Sequence, residues 1–337
     1  MIATADEVTT AELVGGDSAG PPAIIADKLF KTYSEGIFSR KKFQALKGIS
    51  FSVSQGEIFG LLGPNGAGKT TFIKVLLGII KKTGGEASMM GHSAGSKKCR
   101  ELVGYLPERL RIPPHLTAYN ALEYFGNLSN VPTSVVKAKR DEFLELVGLT
   151  GREKDLVKNF SKGMVQRLGL AQALLHDPKM VILDEPTDGL DPRARAEMRA
   201  IIRNLADRGV TIFLNSHLLQ EVEMICNRVA ILDKGNLRYC GPVANIGELL
   251  GGSGGGKPKK LFVFQVVGDT SALHKSFTGS DFKLLSNEDG IASVQVTVND
   301  QAEVDAMIDQ LRSNGISIVG LEEQRVSLED AFLQLID

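Results

Sequence analysis

Two short stretches hold residues whose types and spacing suit phosphate chemistry. GPNGAGKT, Gly63 to Thr70, satisfies G-x-x-x-x-G-K-[ST] and sits between the apolar run IFGLL and the helix-like KTTFIKVLLG. The glycines let backbone N–H groups of residues 65–70 wrap an anion, so Gly63, Pro64, Asn65, Gly66, Ala67 and Gly68 form a cradle. The helix start adds a positive dipole end, Lys69 reaches the β and γ phosphates, and Thr70 offers its hydroxyl to Mg²⁺. MVILDEP, Met180 to Pro186, ends an apolar run in two carboxylates that can divide two tasks. Asp184 can hold Mg²⁺ through its water shell while Glu185 orients and polarises an attacking water. Alone, such a pair reads as a strand end meeting solvent; downstream of a phosphate loop it reads as an ion and water pair.

FSKGMVQR, Phe160 to Arg167, starts a helix with Ser-Lys-Gly, although glycine weakens a first turn. An anion explains it: the Ser161 hydroxyl, the Gly163 N–H and the helix dipole all favour negative charge. Of the five histidines, His92, His115, His176 and His274 read as structural, and His217 in LNSH stands out by its place after an apolar strand.

These residues need a scaffold, and the chain supplies an alternating one. IFGLL precedes KTTFIKVLLG, MVILDE precedes PRARAEMRAIIRNLADRG, and VTIFLNSH precedes LLQEVEMICN, the pattern of a mostly parallel sheet covered by helices. Residues 110–178 are helix-rich, with Thr117 as a cap before AYNALEYFGNL, and read as a helical insert. Residues 1–22 carry acid, Gly and Pro without a basic start or apolar centre, and read as a disordered tail rather than a signal peptide. An α/β domain spans 23–250, the Gly/Ser-rich stretch 251–260 reads as a linker, and 261–337 as a small α+β domain. In the last, LFVFQVV, SALHKSF, FKLLS, ASVQVTV, QAEVDAMIDQLRS and ISIVGLE alternate as strand, helix, strand, strand, helix, strand, a ferredoxin-like order.

Composition excludes several classes. Lys plus Arg is 39 against 40 for Asp plus Glu, so no global charge excess points to a nucleic-acid coat. The basic run SRKKFQALK reads as a solvated loop. Three scattered cysteines, Cys99, Cys226 and Cys240, argue against a disulfide framework or a structural zinc site. No apolar run reaches the roughly 18 residues that span a bilayer.

Taken together, these motifs resemble the ATP-binding cassette (ABC) family of P-loop NTPases over residues 23–242. Gly63 to Thr70, with Thr71 following, is similar to its Walker A motif, Met180 to Glu185 to Walker B, and DGLD, Asp188 to Asp191, to the D-loop. His217 stands at the switch histidine, which contacts the γ-phosphate. FSKGMVQR resembles the signature LSGGQ-x-Q-R, whose helix in one protomer points at a nucleotide held by another. Two departures stand out: Lys162 replaces a glycine and Met164 a glutamine. Lys162 either adds positive charge near phosphate or is simply solvated. GYLPE, Gly104 to Glu108, resembles the Q-loop but ends in Glu108, a carboxylate that can still meet Mg²⁺. Tyr33 in LFKTYS occupies the place of an adenine-stacking aromatic, with a core or edge-strand tyrosine as the alternative and Phe30 and Phe38 nearby.

The resemblance implies an ATPase that binds ATP and Mg²⁺, with Glu185, His217 and Lys69 catalytic. Tyr33, residues 63–71, Ser161, Lys162, Gly163 and Asp191 contact nucleotide, and Thr70, Asp184 and Glu108 serve the metal. It further implies a subunit that energises export through a separate transmembrane permease, peripheral on the inner face of the cell membrane. A second cassette completes a homodimer or heterodimer, and no nucleic acid is expected. The layout, from YLPE through SHLLQEVE to the C-terminal VSLEDAFLQLID, is similar to exporter cassettes whose permease is a separate chain, and places coupling at Glu108 and its neighbours. The alternative is a cassette ATPase acting on ribosomes or nucleic acid; such relatives carry tandem cassettes or long coiled coils, whereas this chain has one P-loop and no heptad run.

Overall fold

A computed structural model describes residues 22–34, 42–246, 260–268, 282–288, 290–298 and 300–324. Residues 1–21 of the expected 1–22 tail, Phe38, the start of the basic run, most of the 251–260 linker, the SALHKSF helix with His274, and VSLEDAFLQLID lie outside the described residues. Contacts divide the chain into two units, Met1–Gly241 and Pro242–Asp337.

In the first unit, the fully buried runs IFGLL, MVILD and TIFLN become the central strands β3 (Ile58–Leu62), β7 (Met180–Asp184) and β8 (Thr211–Asn215). Near-continuous apolar sequence is what a parallel sheet covered on both faces requires. They join β6 (Val103–Leu106), β9 (Arg228–Asp233) and β10 (Asn236–Pro242) in the order β10-β9-β3-β8-β7-β6. Pairing is parallel from β9 through β3, β8 and β7 to β6. A second, antiparallel sheet contains β1 (Ile24–Ser34), β2 (Lys42–Val53), β4 (Gly84–Met89) and β5 (His92–Ser93) in the order β2-β1-β4-β5.

Phe51 of β2, Phe59 of β3, Phe213 of β8 and Phe72 of helix α1 (Lys69–Leu76) stack between these elements with ring centroids 5.1–6.1 Å apart. All four are buried, and this cluster fixes α1, and so the phosphate loop before it, against both sheets.

The expected insert is helical: after α2 (Lys97–Glu101) come α3 (Ala118–Leu128), α4 (Thr133–Leu146) and α5 (Lys162–Leu174). Thr117 caps α3 as expected, its side chain accepting from the Asn120 N–H. Helices α6 (Pro192–Asp207) and α7 (Leu219–Ile225) follow β7 and β8.

The second unit forms an antiparallel sheet of β11 (Lys260–Val267), β12 (Phe282–Glu288), β13 (Ile291–Val298) and β14 (Ser317–Gln324) in the order β12-β13-β11-β14. That is the strand order of the expected ferredoxin-like arrangement. Alternate residues Ala292, Val294, Val296 and Val298 are buried with Val304, Met307 and Leu311 of α8 (Gln301–Ser313), so the period-2 strand and the helix share one core.

Candidate functional site

The motif residues converge because each follows the carboxyl end of a strand in the parallel sheet, the place where open α/β sheets bind ligands. After β3 the chain enters the glycine loop and α1; after β6 comes Glu108; after β7, Asp184 gives way to Glu185; after β8 come Asn215 and His217. One cleft is lined by Asn65, Lys69, Thr70, Glu108, Glu185, Asp188, Asn215 and His217. An adjoining one is lined by residues 64–71 with Phe43 and Ala45.

The glycine loop is shaped by both conformation and packing. Gly68 has φ +109, and a Cβ there would lie 2.6 Å from the Ala45 carbonyl oxygen. Gly66 has φ +82 with open space where a Cβ would stand, leaving its backbone free to meet a ligand. Lys69 is buried at 6 % exposure, and its Nζ donates to the carbonyls of Gly63 at 2.6 Å and Pro64 at 3.3 Å. Burial lowers its pKa, opposed by Glu185, Asp184 and Glu108. A buried ammonium whose hydrogen bonds go to loop carbonyls suits an incoming anion.

Asp184 accepts on both carboxylate oxygens, from Asn215 Nδ2 at 2.5 Å and from the Tyr105 hydroxyl at 3.3 Å. Burial raises its pKa, against the lowering effect of those two bonds. Glu185 is buried and left-handed at φ +53, a conformation that costs a non-glycine residue about 1–3 kcal/mol. Its N–H donates to the Asn215 carbonyl at 2.9 Å. His217 reaches it twice, the backbone N–H at 3.3 Å and Nδ1 at 2.8 Å from Oε2. Burial raises the Glu185 pKa and the His217 contact opposes it. An ionised carboxylate only accepts, so Nδ1 carries a hydrogen and the imidazole is oriented by the glutamate.

The signature stretch is placed by α5. Ser161 is its N-cap and accepts from the Met164 N–H at 3.2 Å. Gly163 has a second reason to be glycine: a Cβ there would stand 3.0 Å from the Ala194 Cβ on α6. Lys162, left open between phosphate and solvent, pairs within the chain with Asp188 at 3.2 Å, both side chains about half exposed.

Two expected nucleotide contacts are differently engaged. Asp191 is the N-cap of α6, accepting from the Ala194 N–H at 2.8 Å, and the D-loop carboxylate lining the cleft is Asp188. Tyr33 lies opposite Phe43 in the β1–β2 register with Lys31 Nζ 4.8 Å from its ring centroid, but the aromatic lining the loop cleft is Phe43, 58 % exposed. Sequence reading missed Phe43, Tyr105 and Asn215. An aromatic on the strand returning beside LFKTYS was the available sign of the first; the other two become visible only when strands are paired. Among the described residues no group of three or more His, Cys, Asp or Glu gathers as a metal cage. Mg²⁺ held by one or two protein oxygens and phosphates needs none, and Asp184 with Thr70 fits that requirement.

The chain matches the ABC transporter family over residues 46–188. It is 40% identical over 313 residues to an ABC transporter ATP-binding protein of Synechocystis sp., covering 91% of this chain and 82% of the relative. The chain belongs to the ABC transporter ATP-binding proteins. A bacitracin transport ATP-binding protein of Bacillus licheniformis is 36% identical over 292 residues, 86% of this chain and 91% of its own. Among solved structures, cbiO1 of Clostridium perfringens, part of an ABC transporter complex, superposes with a TM-score of 0.58 at 26% identity, over 66% of this chain and 88% of that one. The fold is therefore that of an ABC cassette, and the chain is an ATP-binding ATPase of the kind coupled to transport. ABC cassettes of this family pair with one another and work with membrane-spanning partners. Among the described residues of this ABC cassette, no helix is long and apolar enough to cross a membrane.

Proposed function

We propose that this ABC cassette hydrolyses Mg²⁺-ATP to energise export of a substrate through a permease encoded as a separate chain, docked on the inner face of the cell membrane. The observation that carries the reading is the convergence of Lys69, Thr70, Glu108, Glu185, Asn215 and His217 on one cleft at the carboxyl edge of the sheet. The similarity to a bacitracin transport protein, which extends over most of both chains, supports a transport role.

In this reading Lys69 leaves its carbonyl contacts for the β and γ phosphates, and the N–H groups of residues 65–70 hold the phosphate chain in line. Thr70 and Asp184 would hold Mg²⁺, with Glu108 lining the same cleft as Thr70; the ion would supply positive charge to neutralise that building on the phosphates. Glu185 accepts the proton of the attacking water, and its raised pKa suits a general base. His217, already aligned by Glu185, turns toward the γ-phosphate. Phe43, with Tyr33 beside it, offers an aromatic surface next to the loop for the nucleobase. Ser161, Lys162 and Gly163 face the nucleotide of a second cassette, homologous or identical, and residues near Glu108 receive the permease.

Glu185→Gln is expected to keep ATP binding, lower turnover about 100-fold or more and accumulate an ATP-bound dimer by gel filtration. Unchanged turnover would remove Glu185 from the role of base. For the transport reading, co-purification from detergent extracts should yield a multi-span membrane protein; ribosomes in its place would overturn it.

A further inference from the structure

Asp184 is held by two side chains to which the ATPase motifs give no task. Asn215 stands directly beside it across the β7–β8 ladder and is only 1 % exposed. Its Nδ2 donates to Asp184 Oδ1 at 2.5 Å, while Tyr105, from β6 on the other side of β7, donates its hydroxyl to Oδ2 at 3.3 Å. The orientation of the amide follows from chemistry: an ionised carboxylate cannot donate, so the nitrogen must face it and Oδ1 must point elsewhere. That Oδ1 is buried and has no hydrogen-bond partner among the described residues, although Asn215 lines the cleft that holds Thr70 and Glu185. A buried acceptor left unpaired is costly, so a polar group brought in with a ligand would be bound there at a gain.

We infer that Asn215, with Tyr105, is a positioning residue for the divalent cation: it fixes Asp184 through Nδ2 and offers Oδ1 to the hydration shell of the ion. Leucine in place of Asn215 would remove both functions while keeping the branching of the side chain. The ladder pairing makes the arrangement rigid, because Asp184 and Asn215 are also joined through the backbone, with the next residue, Glu185, donating its N–H to the Asn215 carbonyl. One amide thus serves the metal carboxylate with its side chain and the neighbouring glutamate with its backbone. Side-chain substitution separates the two.

The inference rests on the Mg²⁺-ATP reading of the same cleft, and the test separates their failures. ATP binding to the full chain is measured by calorimetry in EDTA and over a Mg²⁺ titration. In Asn215→Leu the Mg²⁺ concentration giving half of the metal-dependent gain in affinity should rise about tenfold or more, a larger change than any in the affinity measured in EDTA. Tyr105→Phe, which keeps the ring and loses one bond, should shift it in the same direction by less. Mn²⁺ binding followed by electron paramagnetic resonance should weaken in the same order. An unchanged metal dependence in Asn215→Leu, or in Tyr105→Phe where the first variant does not fold, overturns the inference. So does an equal loss with and without metal, which would mark a general defect of the cleft. A wild-type chain that binds ATP no better with Mg²⁺ than in EDTA would instead overturn the metal reading itself.

Discussion

At the scale of single residues, the site is built from groups held in states they would not choose in water. Lys69 is buried on carbonyl oxygens, Glu185 is buried in a left-handed backbone conformation, and His217 is tethered to it at 2.8 Å. Such positions persist only where the surrounding fold over-determines them, and they gather where ligands bind. The glycine loop makes the same point in a testable way. Gly68→Ala must accommodate both φ +109 and a Cβ 2.6 Å from a backbone oxygen, whereas Gly66→Ala meets nothing within 4 Å. Gly66→Ala should therefore cost only the backbone strain, about 1–2 kcal/mol. Gly68→Ala should cost more and abolish ATP binding; thermal melts with and without ATP would reveal an inverted order if the loop packing were otherwise. The glycines, Lys69, Thr70, Asp184 and Glu185 could be picked out as candidates in the sequence because their motifs are local patterns, and His217 because of its place after an apolar strand. Asn215 and Tyr105 could not, because their partner Asp184 is 31 and 79 residues away and only strand pairing brings them to it.

At the scale of elements, the start of α5 carries two constraints at once. Read as sequence, Ser161-Lys162-Gly163 asks for an anion from outside the chain. Packed as structure, Gly163 also lets α5 lie against the first turn of α6, with Lys162 pairing to Asp188 in the loop that leads into α6. A half-exposed pair of this kind contributes about 0–1 kcal/mol, so Lys162→Ala, which removes the charge and keeps a good helix former, should leave stability almost unchanged. The steric contact is different. Gly163→Ala is expected to destabilise only if overpacking of about 1–3 kcal/mol exceeds the ~1 kcal/mol that alanine gains over glycine in a helix, and in a double-mutant cycle Ala194→Gly should cost less beside Gly163→Ala than alone, because the contacted methyl group is gone. An equal cost of Ala194→Gly in both backgrounds would show that the two helices yield without cost. If instead Gly163→Ala keeps its stability but not its ATPase activity, the glycine also serves a nucleotide outside its own chain.

At the scale of the whole molecule, the parallel sheet sets where every functional loop begins, and its stability carries a pH dependence through His176. Burial lowers the pKa of this histidine, whose Nε2 lies 3.2 Å from the Val103 carbonyl and whose Nδ1 has no partner among the described residues. The unfolded chain then binds the proton first, so stability present above the ordinary value of 6.5 is lost as pH falls through the lowered folded value. Between pH 7.5 and 5.5 the melting temperature should fall more in wild type than in His176→Leu; parallel pH profiles would discharge His176 from that role. The alternation of apolar strand and amphipathic helix, the phosphate-loop motif, the carboxylate pair and the order of elements expected of the second unit are readable before folding, because each is a local pattern of period or spacing. Long-range packing settles which aromatic lines the loop, that Asp188 rather than Asp191 lines the cleft, and that Asp184 is gripped by Asn215 and Tyr105. Those are contacts between strands and loops far apart in the chain, and a parallel sheet creates them by placing side by side the ends of strands that long connections separate in sequence.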